Sequence, residues 1–200
     1  AANILTKYGF TTDFFAKPIK QFEHAIGFTH EQVYGTQAQK MEINDFWGIS
    51  AREFLQKFGS EVCRVALPKI IPAMKMNNRA LCTRVMELRI QNNPLLTITD
   101  GRFVDEAALV KEYRGIVIRI VRNTNQSSAT DPNVAQHISE TEMSQIIPNY
   151  TVENNGTLEE LEAALVQILK NEGVNVMEEK DRGVGIGDMP TEISATYMTE

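Results

Sequence analysis

Leu95-Leu96-Thr97-Ile98-Thr99-Asp100-Gly101-Arg102-Phe103-Val104-Asp105-Glu106 reads as a buried strand that ends in a carboxylate, a glycine and an arginine, then turns into a helix. Leu95 to Thr99 are apolar or β-branched with no charged residue between them, the pattern of a strand covered on both faces. Asp105 and Glu106 suit the positive end of a helix, which is expected to run from about Asp105 to Tyr113. Gly115-Ile116-Val117-Ile118-Arg119-Ile120-Val121 follows as the clearest strand in the chain. Tyr150–Glu153 is a further short strand. Thr157-Leu158-Glu159-Glu160 is a capping box whose helix reaches Asn171 with Leu161, Leu165 and Ile168 inward. Strand and helix alternate. That argues for an α/β fold with a mostly parallel sheet flanked by helices.

Upstream the chain is helical. Ile4, Leu5 and Tyr8 recur at helical spacing and Gly9 follows as a C-cap. Phe14 to Phe28 carries Ile19, Phe22 and Ile26 on one face, with Pro18 near its start. Residues 29–49 are weakly patterned, with one short helix around Glu31–Tyr34. Ser50-Ala51-Arg52-Glu53 is a second capping box, opening a helix that buries Phe54, Leu55 and Phe58 and is expected to stop at Gly59. Pro68 and Pro72 forbid one regular helix over 60–76. Asn77 or Asn78 then caps a helix to about Gln91, with Leu81, Val85 and Leu88 inward. From Gly173 the pattern dissolves. The expected organisation is a domain over 1–171 and a weakly structured tail over 172–200.

Two hundred residues, 42% hydrophobic and 23% charged, suffice for a folded core. No run of apolar residues is long enough to span a bilayer, and no secretory leader is visible. Two cysteines, Cys63 and Cys82, have neither metal-ligand nor redox spacing, which reads as a reducing, cytoplasmic setting. The net charge of −6 argues against a nucleic-acid coat, yet residues 51–99 hold eight Lys or Arg against three Glu. A basic middle in an acidic chain fits a small anionic ligand held in one place, or arginine and lysine stems laid over apolar neighbours.

Three groups of residues could carry chemistry. Asp100, Arg102 and Glu106 follow a buried strand, where open parallel sheets bind ligands. Arg102 can grip a phosphate through two N–H groups, and Asp100 can take a sugar hydroxyl or a Mg-bound water. The same residues also make an ordinary helix start with acids suited to its dipole. Arg52 and Gln56, four residues apart on one helix face, can reach a common ligand, with Gly59, Ser60 and Arg64 beyond them; a solvated face has the same spacing. Arg119 and Arg122 open the polar segment 123–136, which suits either a lid over phosphates or a surface loop. His24, His30 and His137 share no metal-ligand spacing, and no metal site is expected. Arg182-Gly183-Val184-Gly185-Ile186-Gly187 follows no strand and opens no helix, unlike a phosphate loop, and no Gly-Lys pair occurs anywhere.

Taken in order, Phe15-Ala16-Lys17-Pro18-Ile19-Lys20, Ser50 to Glu61, Asp100 to Glu106, Arg119-Ile120-Val121-Arg122, His137-Ile138-Ser139-Glu140 and Asn154 to Leu161 resemble the deoxynucleoside monophosphate kinase family of bacteriophages and large DNA viruses. The likeness runs from about Ala1 to Asn171. It implies a P-loop nucleoside monophosphate kinase fold that moves the γ-phosphoryl of ATP, with Mg²⁺, onto a deoxynucleoside monophosphate (dNMP), giving the diphosphate for DNA synthesis. It implies that Arg52, Gln56, Gly59, Ser60, Asp100, Arg102 and Glu106 hold the monophosphate, and that Arg102 and Arg122 act on the transferred phosphate. A cytoplasmic homodimer, binding neither membrane nor nucleic acid, is implied as well.

Two departures accompany the likeness. Such kinases open with a strand and a loop of the type G-x-x-x-S-G-K-D-T leading into the first helix, whereas Ala1-Ala2-Asn3-Ile4-Leu5 already lies within that helix. The expectation is therefore a truncated domain, without first strand or phosphate loop, whose sheet lacks a central strand and exposes two edges. The family's tryptophan after the arginine matching Arg64 is also missing from Val65–Pro72, and Trp47 reads as core. A non-catalytic nucleotide-binding or structural descendant of the same fold is the alternative these departures raise.

Overall fold

The computed structural model describes residues 1–77, 79–122, 142–174, 176 and 195–199. Within them lie a five-stranded parallel sheet and a two-stranded antiparallel one, with helices beside them. The chain divides into two compact units: residues 1–14 with 89–200, and residues 15–88.

The first unit is built on the parallel sheet. Its strands are β1 (Thr11–Asp13), β4 (Leu96–Ile98), β5 (Ile116–Val121), β6 (Tyr150–Glu153) and β7 (Ala195–Thr199), in the spatial order β1-β4-β7-β5-β6. Every pairing is parallel, so all five carboxyl ends share one edge. Ile116, Ile118 and Ile120 alternate onto one face of β5. There they meet Ile4 and Leu5 of helix α1 (Ala2–Leu5), the following single turn with Tyr8, and Leu161, Leu165, Ile168 and Leu169 of helix α10 (Leu158–Asn171). Gly9 closes the N-terminal turns at φ 83°, a left-handed conformation that glycine adopts without strain. The Thr157 box caps α10 in both directions: Oγ1 accepts from the Glu160 amide and the Glu160 carboxylate accepts from the Thr157 amide. Helix α9 (Val104–Glu112) packs against β5 and β7.

The centre of this sheet departs from expectation. Residues 195–199 were expected within a weakly structured tail, and the sheet was expected to lack a central strand. Instead β7 lies at its centre, pairing Thr97 with Ala195 on one side and Ile118 with Tyr197 on the other. A strand delivered from far along the chain satisfies both inner edges.

The second unit gathers helices α2 (Lys17–Ala25), α3 (His30–Tyr34), α4 (Gln37–Met41) and α5 (Ala51–Lys57) beside the hairpin β2 (Ile43–Asn44) and β3 (Ile49–Ser50). Thr29 and Thr36 each cap the helix that follows them, paired with Gln32 and Gln39. Ser50 Oγ accepts from the Glu53 amide as expected, while the Glu53 carboxylate turns forward to Lys57 Nζ at 2.7 Å. Gly59 does not end the helix. The winding loosens into a π-helix over Phe58–Ala66, then continues as α6 (Leu67–Ile70) and, after a break at Ile71, as α7 (Pro72–Asn77). Pro68 and Pro72 each sit in the first turn of their helix, where a missing N–H costs nothing.

In helix α8 (Leu81–Asn92) the buried side is Cys82, Thr83, Met86, Glu87 and Ile90, whereas Leu88 is exposed. The expected phase was wrong because Glu87 is an inward residue, held by Arg79 Nη1 at 2.6 Å and by Arg84. Trp47 is not core either: nearly half of it is exposed, and its indole N–H donates to the Ile26 carbonyl at 2.9 Å.

Candidate functional site

In the first unit the carboxyl edge of the sheet gathers the expected residues of strands β4 and β5. Asp100 and Arg102, both half-buried, follow β4, and Arg122, exposed, follows β5. Glu106 is buried in the first turn of α9, and its Oε2 accepts from the amides of Arg102 (2.8 Å) and Phe103 (3.1 Å). Its carboxylate therefore fixes the loop that carries Arg102. Arg122 Nε donates to the Asn154 carbonyl at 3.1 Å. Arg119 is a support, donating to the carbonyls of Met143 (3.1 Å) and Ile146 (2.8 Å).

One edge residue escapes sequence reasoning. Asp13, buried at the end of β1, takes Arg89 Nη1 at 3.0 Å and the Phe14 amide at 2.9 Å on Oδ1. Its strand is three residues long, too short for alternation to mark.

In the second unit Arg52 lines a small cleft together with Lys20, Glu23, Gln32, Val33, Lys40, Ala51 and Leu55. Gln56, Gly59 and Ser60 are not among its lining residues. Gln56 lies one turn beyond Arg52 on α5, and Gly59 and Ser60 lie in the π-helical stretch. A Cβ on Gly59 would stand 3.4 Å from Ile19 Cδ1, a close packing of that stretch on α2. Phe54 and Phe58 stack with centroids 5.2 Å apart, and Phe22 lies 5.1 Å from Phe58. Of these rings Phe54 lies on α5, the helix that presents Arg52.

Lys20, Glu23, Gln32 and Lys40 are cleft residues that sequence reasoning missed. The available signal was Glu23 itself, a carboxylate set at helical spacing between Ile19 and Ile26 on an apolar face. Only 1% of Glu23 is exposed, and burial pushes its carboxyl up to about 7 against the opposing pull of Lys20. Burial, then the nearby Glu23, pushes the Tyr34 hydroxyl up as well.

Among the described residues no group of three or more His, Cys, Asp or Glu could hold a metal, and no helix is long and apolar enough to cross a membrane. The segments 123–141 and 177–194, which include the polar segment 123–136, His137 and the Arg182–Gly187 glycines, lie outside the described residues.

No protein-family model and no solved structure matches the chain. A protein of Acanthamoeba polyphaga mimivirus, provisionally named a deoxynucleotide monophosphate kinase, is 32% identical over 178 residues, covering 86% of this chain and 89% of that protein. With an edge of carboxylate and arginine residues beyond a parallel sheet, and with identity sustained over nearly the full length of both proteins, the chain belongs to the deoxynucleotide monophosphate kinase family.

Proposed function

We propose that this protein acts in phosphoryl transfer from ATP to a deoxynucleoside monophosphate, on the fold of the P-loop kinases. An acceptor phosphate oxygen attacks the γ-phosphorus, the bond to the β–γ bridging oxygen breaks, and ADP leaves. The observation that carries this reading is the cleft of the second unit, where Arg52 shares one small concavity with Lys20 and Lys40. Three cations around one cleft suit the phosphate of a monoester. The mimivirus relative's name points to the same class of acceptor.

Each unit has its own share of the work. In the second, Arg52 binds the acceptor phosphate, and Gln56, Gly59 and Ser60 extend the binding surface along the same helical run. In the first, Asp100 and Arg102 stand at the carboxyl edge, where Arg102 neutralises charge on the phosphates and Asp100 accepts from a hydroxyl or a metal-bound water. Glu106 positions Arg102 by holding its backbone amide. Arg122, at the end of β5, supplies further positive charge as the phosphoryl moves. A Mg²⁺ ion would be carried chiefly by the nucleotide's phosphates, with Asp100 the edge carboxylate nearest in chemistry to that task.

The test is dNMP binding by calorimetry to the wild type, Arg52→Ala and Arg102→Ala. Each substitution is expected to weaken binding at least tenfold, the loss of about one charge-assisted contact. Normal binding by both variants would remove the basis of the assignment.

A further inference from the structure

Glu23 presents a chemical problem that the folded chain leaves unsolved. It lies on α2 with 1% of its surface exposed, and among the described residues its Oε1 has no hydrogen-bond donor. Yet the same side chain lines the cleft that holds Arg52, Lys20 and Lys40. A buried acceptor without a donor is costly, and a cleft wall is where a ligand can supply one. The ligand that matches carries an anionic end for the cations and N–H groups for the carboxylate. A nucleoside monophosphate has both.

Resting on the acceptor-site reading above, we propose that Glu23 reads the base. Its ionised carboxylate accepts from the adjacent ring and amino N–H groups of guanine, and its protonated carboxyl pairs with edges that offer one donor and one acceptor, such as that of thymine. The two forms present different hydrogen-bond patterns from one side chain. Around it stand Lys20 on its own helix, Tyr34 on α3, Lys40 on α4 and Arg52 on α5, while His24 stacks on Tyr34 with centroids 5.5 Å apart and His30 tilts against it at 5.1 Å. Burial brings the carboxyl to about 7, so both forms are populated near neutrality. One pocket would then accept more than one base, with the balance among bases set by pH.

The experiment is calorimetric binding of dGMP and dTMP at pH 6 and pH 8, to the wild type and to Glu23→Gln. The phosphate's own ionisation and the three cations are common to both ligands, so they cancel in the affinity ratio. In the wild type the preference for dGMP over dTMP should rise about tenfold or more between pH 6 and pH 8. Glutamine always offers one donor and one acceptor, so in the variant the ratio should be flat. A wild-type ratio that does not move with pH, or a variant that keeps the wild-type ratio, overturns the base-reading role while leaving the acceptor site standing. Failure of the wild type to bind either nucleotide at either pH overturns the acceptor reading and this proposal with it. The wild-type comparison stands even if the variant folds poorly.

Discussion

Arg89 Nη1 stands 3.0 Å from Asp13 Oδ1, joining residues 76 apart in sequence at the carboxyl end of β1. The same carboxylate oxygen takes the Phe14 amide, and the Asp13 carbonyl takes the Thr99 amide at 3.2 Å. One aspartate thereby ties the end of β1 both to a helix and to the residue that precedes Asp100.

Removing either partner should therefore do more than delete a surface ion pair. Asp13→Ala or Arg89→Ala is expected to cost about 2 kcal/mol, since the pair is largely buried and charge-assisted. A double-mutant cycle in urea should return a coupling energy of at least about 1 kcal/mol. Strict additivity would show that the contact contributes nothing of its own.

Glu106→Gln tests the loop that carries Arg102. The amide keeps an acceptor oxygen but loses the charge that strengthens the bonds from Arg102 and Phe103. Stability should fall by about 1 kcal/mol. dNMP affinity should fall less than in Arg102→Ala, because the guanidinium is still present. Equal losses in the two variants would mean that Glu106 meets the ligand itself.

Glu23 makes a prediction about stability versus pH that is separate from binding. Its folded carboxyl titrates near 7, above the usual carboxylate range, because burial disfavours the charge. Between those two values the folded state holds a proton that the unfolded state has released, so stability falls as pH rises and levels off above about 7. The span corresponds to about 3 kcal/mol. Comparing urea midpoints at pH 5 and pH 8, the wild type should lose stability from this group, and Glu23→Gln should lose less. A variant with the wild-type pH dependence would exclude Glu23 as its source.

Tyr197→Pro would remove a backbone donor from the middle of the central strand. Since β7 pairs on both sides, proline there should strip amide-exchange protection from β4 and β5 together. Protection lost in β7 alone, with its neighbours unchanged, would be incompatible with a central position.

How much of this was legible depended on whether the signal was local. Tyr150–Glu153 and the helix Leu158–Asn171 fall where β-branched content and a capping box put them, because those cues act within a few residues. Asp100 and Arg102 were legible as residues after a buried strand. Leu88 was misread because helical phase was inferred from apolar residues, while Thr83 and Glu87 are buried polar groups whose partners are set by tertiary structure. Gly59 was misread as a stop because a π-helix has no local sequence rule that distinguishes it from an interrupted α-helix. The cleft around Glu23 draws on four helices, and only the misplaced charge on an apolar face hinted at it.

The order of strands along the chain has a kinetic consequence. β7 follows every other strand of the parallel sheet, yet it is the one that joins the β1-β4 pair to the β5-β6 pair. During synthesis these two pairs must emerge and wait as separate pieces with open inner edges. Their union needs a contact between residues almost a hundred positions apart, Thr97 and Ala195, the kind of non-local closure that slows folding and lengthens the exposure of sticky intermediates. Chaperone demand should therefore be concentrated in the interval between the emergence of β6 and that of β7.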